Sequence, residues 1–290
     1  MNLNFRQSVT AGAEAGTRFA LNIPPGIFDG GSGVKSGLRS GTSMDFMEHR
    51  DYFIGDDLRQ IDWNVYARSD KLTVKLYHQE VTPALDILLD TSASMALENS
   101  DKPHASLALT ALLAAAGGNG GFRYKVWRCA EDGLVNAAVS SPPETWTEFS
   151  FSGAYSPAGL LAAAPPVFHA KGIRIFISDL LFPAEPRSFL AYFAANSSMT
   201  VIVQVLAEPE ISPAFHGNAA LVDSETDEEQ EFFVDDNVLA AYRSRMTAHQ
   251  ENWRHACRES GAVFTSITAE NFMNNMIPEE LVNREILRIT

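Results

Sequence analysis

The sequence predicts an α/β protein with a doubly wound, mostly parallel sheet, and an extended N-terminal segment that packs on it. Apolar stretches of strand length alternate with helical stretches along most of the chain, and this alternation is typical of a parallel sheet covered by helices on both faces. The stretch from Ala105 to Ala116 is apolar nearly all round, which indicates a helix buried against that sheet. The 290 residues suffice for one sizeable core and an appendage.

The predicted elements follow one another along the chain. Strands are expected at residues 72–77, 84–89, 124–129, 173–178, 200–206 and 262–266. Helices are expected at about residues 103–116, 156–164, 186–196 and 236–259. The first of these helices has the boundary residues that helices prefer, with Asp101 and Pro103 at its start and two glycines at its end.

The first forty residues predict a loose arm laid on the body of the protein, because they are rich in Gly, Ser and Pro and have little periodic apolar content. Gly33-Val34-Lys35-Ser36 faintly resembles a phosphate-binding loop, but Gly and Lys are not adjacent and no strand precedes them. From Asp45 to Glu80 dense charge and aromatic residues indicate an ordered module. We therefore predict an N-terminal arm and charged, aromatic segment at 1–80 and a main domain at 81–290.

Charge and composition narrow the classes of partner. Lys and Arg number 22 against 36 Asp and Glu, and the resulting net charge of -14 would repel a phosphate backbone. We expect no nucleic-acid partner. No stretch approaches the ~18 apolar residues of a membrane span, and residues 1–30 lack a secretion signal. Cys129 and Cys257 have no metal-ligand spacing. These features predict a cytoplasmic protein without a disulfide framework.

Acidic residues are concentrated between Asp223 and Asp236, where the sequence has eight acids and no base. We interpret this stretch as a solvated hairpin turn or exposed loop. The alternative is a docking surface for a basic partner.

The most informative motif lies at the end of the strand predicted at 84–89. Asp90, Ser92 and Ser94 follow this strand at steps of two residues. A second predicted strand ends in Ser178-Asp179. Because ligands bind at the carboxyl ends of the strands in such sheets, we expect Asp90 and Asp179 to converge in one pocket.

The oxygens of this motif suit a hard cation. Mg²⁺ takes six oxygen ligands and is normally held by one or two carboxylates, so Asp90, Asp179, Ser92 and Ser94 predict a Mg²⁺ site, with Mn²⁺ or Ca²⁺ as alternatives. Neutral hydroxyl ligands would leave the ion positive and able to accept a carboxylate from another protein. The alternative is that Asp-Thr-Ser only starts and caps a helix.

Two stretches resemble known families. Asp90-x-Ser92-x-Ser94 after an apolar strand, with Ser178-Asp179 downstream, resembles the metal-ion-dependent adhesion site of von Willebrand factor A domains, over about residues 81–290. The stretch from Arg50 to Trp63, with Ala67-Arg68, closely resembles the signature of a bacterial family that carries this domain, domain of unknown function 58. The resemblance implies a cytoplasmic, non-enzymatic protein encoded beside a MoxR-type AAA+ ATPase, with which it assembles or matures other proteins.

One position departs from the adhesion-site pattern. The second loop of that site usually supplies a Thr in a Gly-Gly-Thr-like turn, and the nearest match here, residues 152–156, has Ala154 at that position. Either Ser152 or Ser156 substitutes, a water fills the gap, or the site binds metal weakly or not at all. The predicted metal-binding residues are Asp90, Ser92, Ser94, Asp179 and Ser156.

The upstream segment carries opposite charges at close spacing. We predict that they form a hydrogen-bonded network that pins the segment to the main domain, and the residues concerned are Asp56, Asp57, Arg59, Asp62 and Arg68. Trp63 and Tyr66 are expected to be packing residues, with an exposed partner-binding role as the alternative.

Two other functions remain as alternatives. Leu88 to Ser92 also resembles phosphatases whose nucleophilic Asp ends the first strand, but the second acid of their Asp-x-Asp motif is Ser92 here. The general acid is then missing, so a metal-dependent phosphatase is less favoured and we predict no catalytic residues. The other alternative is an interaction protein with a vestigial, metal-free site.

Overall fold

The structure is a computed structural model that describes residues 3–22, 46–77, 83–130, 133–146, 149–153, 156–222 and 229–290. The chain divides into two compact units. Residues 1–27 and 83–290 form the larger unit, and residues 28–82 form the smaller one. The predicted division lies at residue 80, but the described residues 3–22 belong to the larger unit.

Strands and helices are numbered along the chain. The strands are β1 (Phe19–Leu21), β2 (Phe46–Asp51), β3 (Thr73–Tyr77), β4 (Ala84–Leu89), β5 (Arg123–Ala130), β6 (Gly133–Val139), β7 (Ile173–Ser178), β8 (Met199–Leu206), β9 (Gly217–Val222), β10 (Glu229–Val234), β11 (Val263–Thr268) and β12 (Leu287–Ile289). The helices are α1 (Leu3–Gly16), α2 (Trp63–Ser69), α3 (Lys102–Asn119), α4 (Pro157–Ala163), α5 (Pro186–Phe193), α6 (Glu208–Ile211), α7 (Asp236–Ser260), α8 (Ala269–Asn275) and α9 (Glu279–Asn283).

A six-stranded sheet forms the centre of the larger unit, in the order β11-β8-β7-β4-β5-β6. Neighbouring strands are parallel except for β6, which is antiparallel to β5 at one edge. The prediction of an α/β protein with a mostly parallel sheet is confirmed. The predicted strands at 84–89 and 173–178 coincide with β4 and β7.

The core lies on both faces of this sheet. Every residue of β4 and β7 is buried, as expected for central strands covered by helices. On one face α3 is buried along nearly its whole length, which agrees with its all-round apolar sequence. Elsewhere in the larger unit, Phe176, Phe189, Phe193 and Trp253 join β7, α5 and α7 in a buried aromatic cluster.

The strand order reverses beside β4. The chain passes from β4 to β5 on one side and later adds β7 on the other side. The carboxyl ends of β4 and β7 therefore form the switch point at which open α/β sheets usually bind ligands. Asp90 and Asp179 directly follow these two strands.

The N-terminal residues differ from the predicted loose arm. Residues 3–16 form α1, which packs along α3. The approach is close because a Cβ at Gly12 would overlap the carbonyl oxygen of Ala108, and one at Gly16 would lie 2.7 Å from the Leu112 carbonyl oxygen. Glycine content was one reason to predict a loose N-terminal arm, but these two glycines allow α1 and α3 to pack closely. The loop-like motif at residues 33–36 lies outside the described residues.

Two small sheets of the larger unit lie outside the central one. β1 pairs with β12 near the C-terminal end, with Phe19 opposite Ile289. β9 and β10 pair antiparallel. The acidic stretch was predicted as a hairpin turn or an exposed loop, and its part at residues 223–228 lies outside the described residues. Near the end of the stretch, Asp235 caps α7, where its carboxylate accepts a hydrogen bond from the Val238 amide.

The smaller unit contains the antiparallel pair of β2 and β3, a short 3-10 turn at Leu58–Gln60 and α2. Asp62 begins α2, and its side chain accepts hydrogen bonds from the amides of Asn64 and Val65. This is the usual role of an Asp at a helix start. The ordered module predicted from Asp45 onwards is confirmed for residues 46–77.

Candidate functional site

The candidate site lies where β4 and β7 end side by side. The Asp90 amide donates a hydrogen bond to the Ile177 carbonyl oxygen at 2.9 Å, which ties the two strand ends together. Asp90, Ser178 and Asp179 have no exposed surface, and Ser92 is 1% exposed. The structure therefore brings together the two carboxylates that the sequence predicted to converge.

Asp90 is held by neutral donors. One carboxylate oxygen accepts the Ser92 amide at 2.9 Å, and the other accepts the Ser178 hydroxyl at 2.7 Å. Burial, followed by the charge of Asp179, raises the pKa of Asp90 to about 6, although the hydrogen bonds from Ser178 and Ser92 oppose this. A buried carboxylate with a raised pKa is one that a nearby cation would stabilise in its charged form.

The two serines of the motif lie beside each other. The Oγ atoms of Ser92 and Ser94 are 3.0 Å apart. Ser92 precedes the 3-10 turn Ala93–Ala96, but its hydroxyl does not cap that turn. The Asp90 carboxylate accepts the Ser92 amide in a local turn before this element, and no described side chain caps the 3-10 turn itself, so the capping alternative is not confirmed. Both hydroxyls remain available as ligand oxygens.

The second loop runs alongside the motif. The Gly153 amide donates to the Thr91 carbonyl oxygen at 3.1 Å, and the Ala93 amide donates to the Gly153 carbonyl oxygen at 2.9 Å. A side chain at Gly153 would place its Cβ 3.2 Å from the Thr91 carbonyl oxygen, so the approach favours glycine. Ala154, at the position of the expected Thr, lies outside the described residues.

Ser156, the fifth predicted ligand, follows this loop and precedes α4. Its hydroxyl oxygen is buried, has no hydrogen-bond partner among the described residues and does not cap α4. Buried hydroxyls normally have a partner. This hydroxyl therefore remains available for a ligand or a water.

Asp179 is held differently from Asp90. One of its oxygens accepts the Leu181 amide at 2.9 Å, and the other accepts the ammonium group of Lys102 at 2.8 Å. The same ammonium donates to the Ser94 carbonyl oxygen at 2.9 Å and to Glu210 Oε1 at 2.7 Å. Lys102 has no exposed surface. A protein cation thus already neutralises one of the two predicted metal-binding carboxylates.

Lys102 and Glu210 were not predicted as site residues. Lys102 lies in the first turn of α3, where the helix dipole favours acidic side chains and disfavours a lysine. A lysine between Asp101 and Pro103, at the start of a helix whose sequence is otherwise apolar, is the sequence feature that could have marked Lys102 as a site residue. Glu210 lies in the short helix α6, and no sequence pattern connected it to the β4 end.

The backbone after Asp179 is tightly constrained. Leu180 is fully buried and adopts a left-handed conformation with φ of 62°, which is uncommon for a residue other than glycine. Its carbonyl oxygen accepts His249 Nε2 at 2.8 Å, and the Asp179 carbonyl oxygen accepts Gln204 Nε2 at 2.9 Å. Hydrogen bonds from β8 and α7 thus hold the backbone around Asp179 in place. A strained backbone of this kind persists only where the surrounding structure constrains it.

The site offers a hard cation oxygen ligands of the right chemistry. The carboxylate oxygens of Asp90 and the hydroxyls of Ser92 and Ser94 are of the type that Mg²⁺, Mn²⁺ and Ca²⁺ prefer. Within the described ranges, no group of three His, Cys, Asp or Glu side chains could hold a metal ion. Any cation at this position would therefore depend on the hydroxyls as well as the carboxylates.

The charged residues of the smaller unit form local contacts. Arg50 pairs with Asp56 at 2.9 Å, and Asp62 accepts His49 Nε2 at 2.9 Å. The hydrogen bond from His49 is the main cause that lowers the pKa of Asp62 to about 2. Asp57 accepts the Arg59 amide at the start of the 3-10 turn. These are separate local contacts inside the unit, and the predicted network that would pin the segment to the main domain stays a prediction.

The expected packing role of Trp63 and Tyr66 is wrong. Trp63 is 60% exposed and Tyr66 is 38% exposed. The two rings contact each other edge to face with centroids 6.1 Å apart. Both lie on α2, which buries none of its residues, so these rings face outward rather than into a core.

Fold and site define a mixed α/β protein with a carboxylate and hydroxyl cluster at the switch point of its sheet. A family model described as "Protein of unknown function DUF58" matches residues 48–139. Similar proteins include "Uncharacterized protein Rv1480" of Mycobacterium tuberculosis and "Uncharacterized protein Mb1516" of Mycobacterium bovis. Each is 25% identical over 251 residues, which cover 81% of this chain and 77% of the relative.

Solved structures with some similarity include BatB from Bacteroides thetaiotaomicron, with 11% identity and a TM-score of 0.35 over 69% of this chain and 98% of that chain. Another is an aerotolerance-related membrane protein from Bacteroides fragilis, with 10% identity and a TM-score of 0.38 over 69% of this chain and 99% of that chain. Because both TM-scores are below 0.5, we base no structural or functional argument on them.

The cytoplasmic location expected from the sequence requires a correction. One of the two similar structures is described as a membrane protein, which does not agree with the expectation, and the cytoplasmic assignment is withdrawn. A similarity this weak assigns the chain to no other location. Among the helices of the described ranges, none combines the length and apolar character needed to cross a membrane.

Proposed function

We propose that this protein is a non-catalytic binding module of the von Willebrand factor A type, which uses a divalent cation to bind a carboxylate of another protein. The cation would be Mg²⁺, with Mn²⁺ or Ca²⁺ as alternatives. Asp90, Ser92 and Ser94 would hold it, with Asp179 and Ser156 beside them. Because the hydroxyl ligands are neutral, the ion would keep the positive charge that attracts a partner's carboxylate.

The observation that carries this proposal is the burial of Asp90 among hydroxyl groups at the switch point of the sheet. Asp90 is fully buried, and the hydrogen-bond donors to its carboxylate among the described residues are neutral groups of Ser178 and Ser92. Its raised pKa, caused first by burial and then by Asp179, supports a place for a cation beside it. The adjacent hydroxyls of Ser92 and Ser94 would complete such a site.

The partner that we propose is a MoxR-type AAA+ ATPase, with which the protein would assist the assembly or maturation of other proteins. This part of the proposal is supported by the match of residues 48–139 to the DUF58 family model and by the motif resemblance of both segments. A binding role rather than phosphoryl transfer is supported by Ser92, which stands where the second acid of a phosphatase motif would be.

Calorimetric titration of Mg²⁺ and Mn²⁺ into the purified chain tests the cation site. We expect saturable binding by the wild type and its loss in Asp90→Asn, since the substitution removes the negative charge of a buried carboxylate whose described hydrogen-bond donors are neutral. Asp86→Asn is the matched control, because Asp86 is also fully buried on β4 but lies roughly 13 Å further along the strand. Equal titration curves for wild type and Asp90→Asn would contradict the proposal.

The partner role needs a separate measurement. We expect a purified MoxR-type ATPase to be retained by the immobilised wild type in Mg²⁺ and released by a chelator. Asp90→Asn is expected to bind it at least tenfold more weakly, while Asp86→Asn binds it normally. Retention that is the same with and without chelator would leave the cation without a role in the interaction.

A second candidate function is favoured by Lys102. Its ammonium already contacts Asp179, and Ala154 stands where a Thr ligand is usual. Under this alternative the protein binds partners through a metal-free site. It predicts unchanged partner binding in the presence of a chelator, together with no cation binding by the wild type.

A further inference from the structure

We propose that Lys102 is a resident cation of this site, which occupies Asp179 and thereby limits how tightly a divalent cation binds beside it. The inference rests on the proposed cation site and names the residue that sets its affinity. Lys102 would act by competition for Asp179 and by repulsion of the incoming ion. It is therefore an affinity-determining residue and not itself a ligand.

The position of the ammonium supports this role. Lys102 Nζ has three oxygen partners at 2.7 to 2.9 Å, namely Glu210, Asp179 and the carbonyl of Ser94. Two of these partners belong to residues predicted to bind the metal. An amine surrounded by carboxylate and carbonyl oxygens occupies the kind of environment that a metal ion would otherwise take.

The ammonium is also fixed in place. Its stem is fully buried in the first turn of α3. Glu210 is anchored as well, since its second oxygen accepts the Ala207 amide at 2.8 Å and its carbonyl oxygen accepts the Tyr242 hydroxyl at 2.6 Å. Because Lys102 and Glu210 are both held in this way, neither side chain moves aside when an ion binds, and Lys102 remains next to Asp179.

The charges then determine the outcome. The ammonium contacts Asp179 and Glu210, and Asp90 lies within the electrostatic reach of Asp179. Three carboxylates and one ammonium leave an excess of negative charge that can attract a cation. Like charges a few ångströms apart repel strongly in a buried environment. Removal of the ammonium should therefore strengthen binding of a divalent cation, because it frees one Asp179 oxygen and removes that repulsion.

Calorimetric titration of Mn²⁺ and Mg²⁺ into full-length variants tests this inference. Lys102→Met keeps a side chain of similar shape without charge, and we expect it to bind the ion at least tenfold more tightly than the wild type. Lys125→Met is the matched control for loss of one positive charge, since Lys125 lies near the opposite end of β5 from the site. It should bind like the wild type. Equal or weaker binding by folded Lys102→Met would overturn the inference.

Circular dichroism in chelator shows whether Lys102→Met folds. If it does not, a double variant replaces it in the test. Lys102→Met with Glu210→Gln removes the ammonium together with one carboxylate that it neutralises. We expect this variant to fold and to bind the ion more tightly than Glu210→Gln alone. Equal binding by these two variants would count against a role for Lys102.

The outcomes separate this inference from the proposed function. Binding by the wild type that is unchanged in Lys102→Met supports the cation site and rejects the role of Lys102. Binding by Lys102→Met alone supports Lys102 as the resident cation and rejects cation-dependent function in the wild type. An absence of binding in every variant rejects both.

Discussion

The two strand ends that form the site each carry a buried carboxylate, and the two carboxylates are stabilised by different groups. The β4 end holds Asp90 with a hydroxyl and an amide, both neutral. The β7 end holds Asp179 with an amide and the buried ammonium of Lys102. Both carboxylates are fully buried. Among the described residues, Asp179 therefore has a positively charged counter-ion, whereas the donors to Asp90 are neutral. A bound cation would stabilise Asp90 more than Asp179.

The largest expected effect tests the β7 end. Lys102→Met in metal-free buffer leaves Asp179 and Glu210 without their buried counter-ion, and loss of one partner of such a pair costs about 3–5 kcal/mol. Urea unfolding should show this loss of stability, and the added substitution Glu210→Gln should restore part of it. A loss below about 1 kcal/mol would mean that Asp179 does not depend on Lys102.

A smaller effect is expected from Ser178→Ala at the junction of the two ends. The Ser178 hydroxyl donates to Asp90 and accepts the Leu180 amide at 2.9 Å. Removal of a buried partner of this kind costs about 1–3 kcal/mol. Ser244→Ala, on the exposed face of α7, is the control and should change the free energy of unfolding by less than about 0.5 kcal/mol. Equal effects in the two variants would deny Ser178 this role.

The smallest expected effect concerns the β4 end and has the opposite sign. Burial and then the charge of Asp179 raise the pKa of Asp90 from 3.8 to about 6. This shift corresponds to a cost of about 3 kcal/mol for the buried charge at pH 7. In Asp90→Asn an NH₂ group replaces one acceptor oxygen of the Ser92 and Ser178 hydrogen bonds, which offsets part of the gain, so without metal the variant should be more stable by about 1–2 kcal/mol. Urea unfolding of both chains at several pH values measures this difference.

The pH dependence follows from the same shift. Between about pH 4 and pH 6 the folded chain binds more protons at Asp90 than the unfolded chain does, so the contribution of protonated Asp90 to stability is fully present below about pH 4 and is lost as the pH rises through about 6. The advantage of Asp90→Asn should grow over that interval. An advantage that does not change with pH would show that Asp90 has no raised pKa.

The central fold was predictable because its strands are fully buried and bounded by clear breaks. β4 and β7 are mostly apolar, with one charged residue each, and both were predicted with their correct bounds. α1 was missed because its buried face consists mainly of small residues, which produce close packing without a strong apolar period. The edge strand β6 was missed as well, because it contains two alanines and an asparagine, which have low strand propensity, and its pairing depends on β5.

The sequence predicted those site residues that directly follow a strand. Asp90, Ser92 and Asp179 follow two strands of the same sheet, and topology alone brings them together. Glu210 reaches the site from a separate element, and Lys102 violates the preference of helix starts for acidic residues. Contacts of this kind arise from tertiary packing, which no short motif encodes.

The pairing of β1 with β12 has a consequence for how the chain becomes folded. Phe19 and Ile289 are partners across roughly 270 intervening residues. During synthesis, β1 cannot pair until β12 has also been made and has left the ribosome. Contacts of such long range form slowly. We therefore expect closure of this sheet to be a late step of folding, with β1 open to other partners until then.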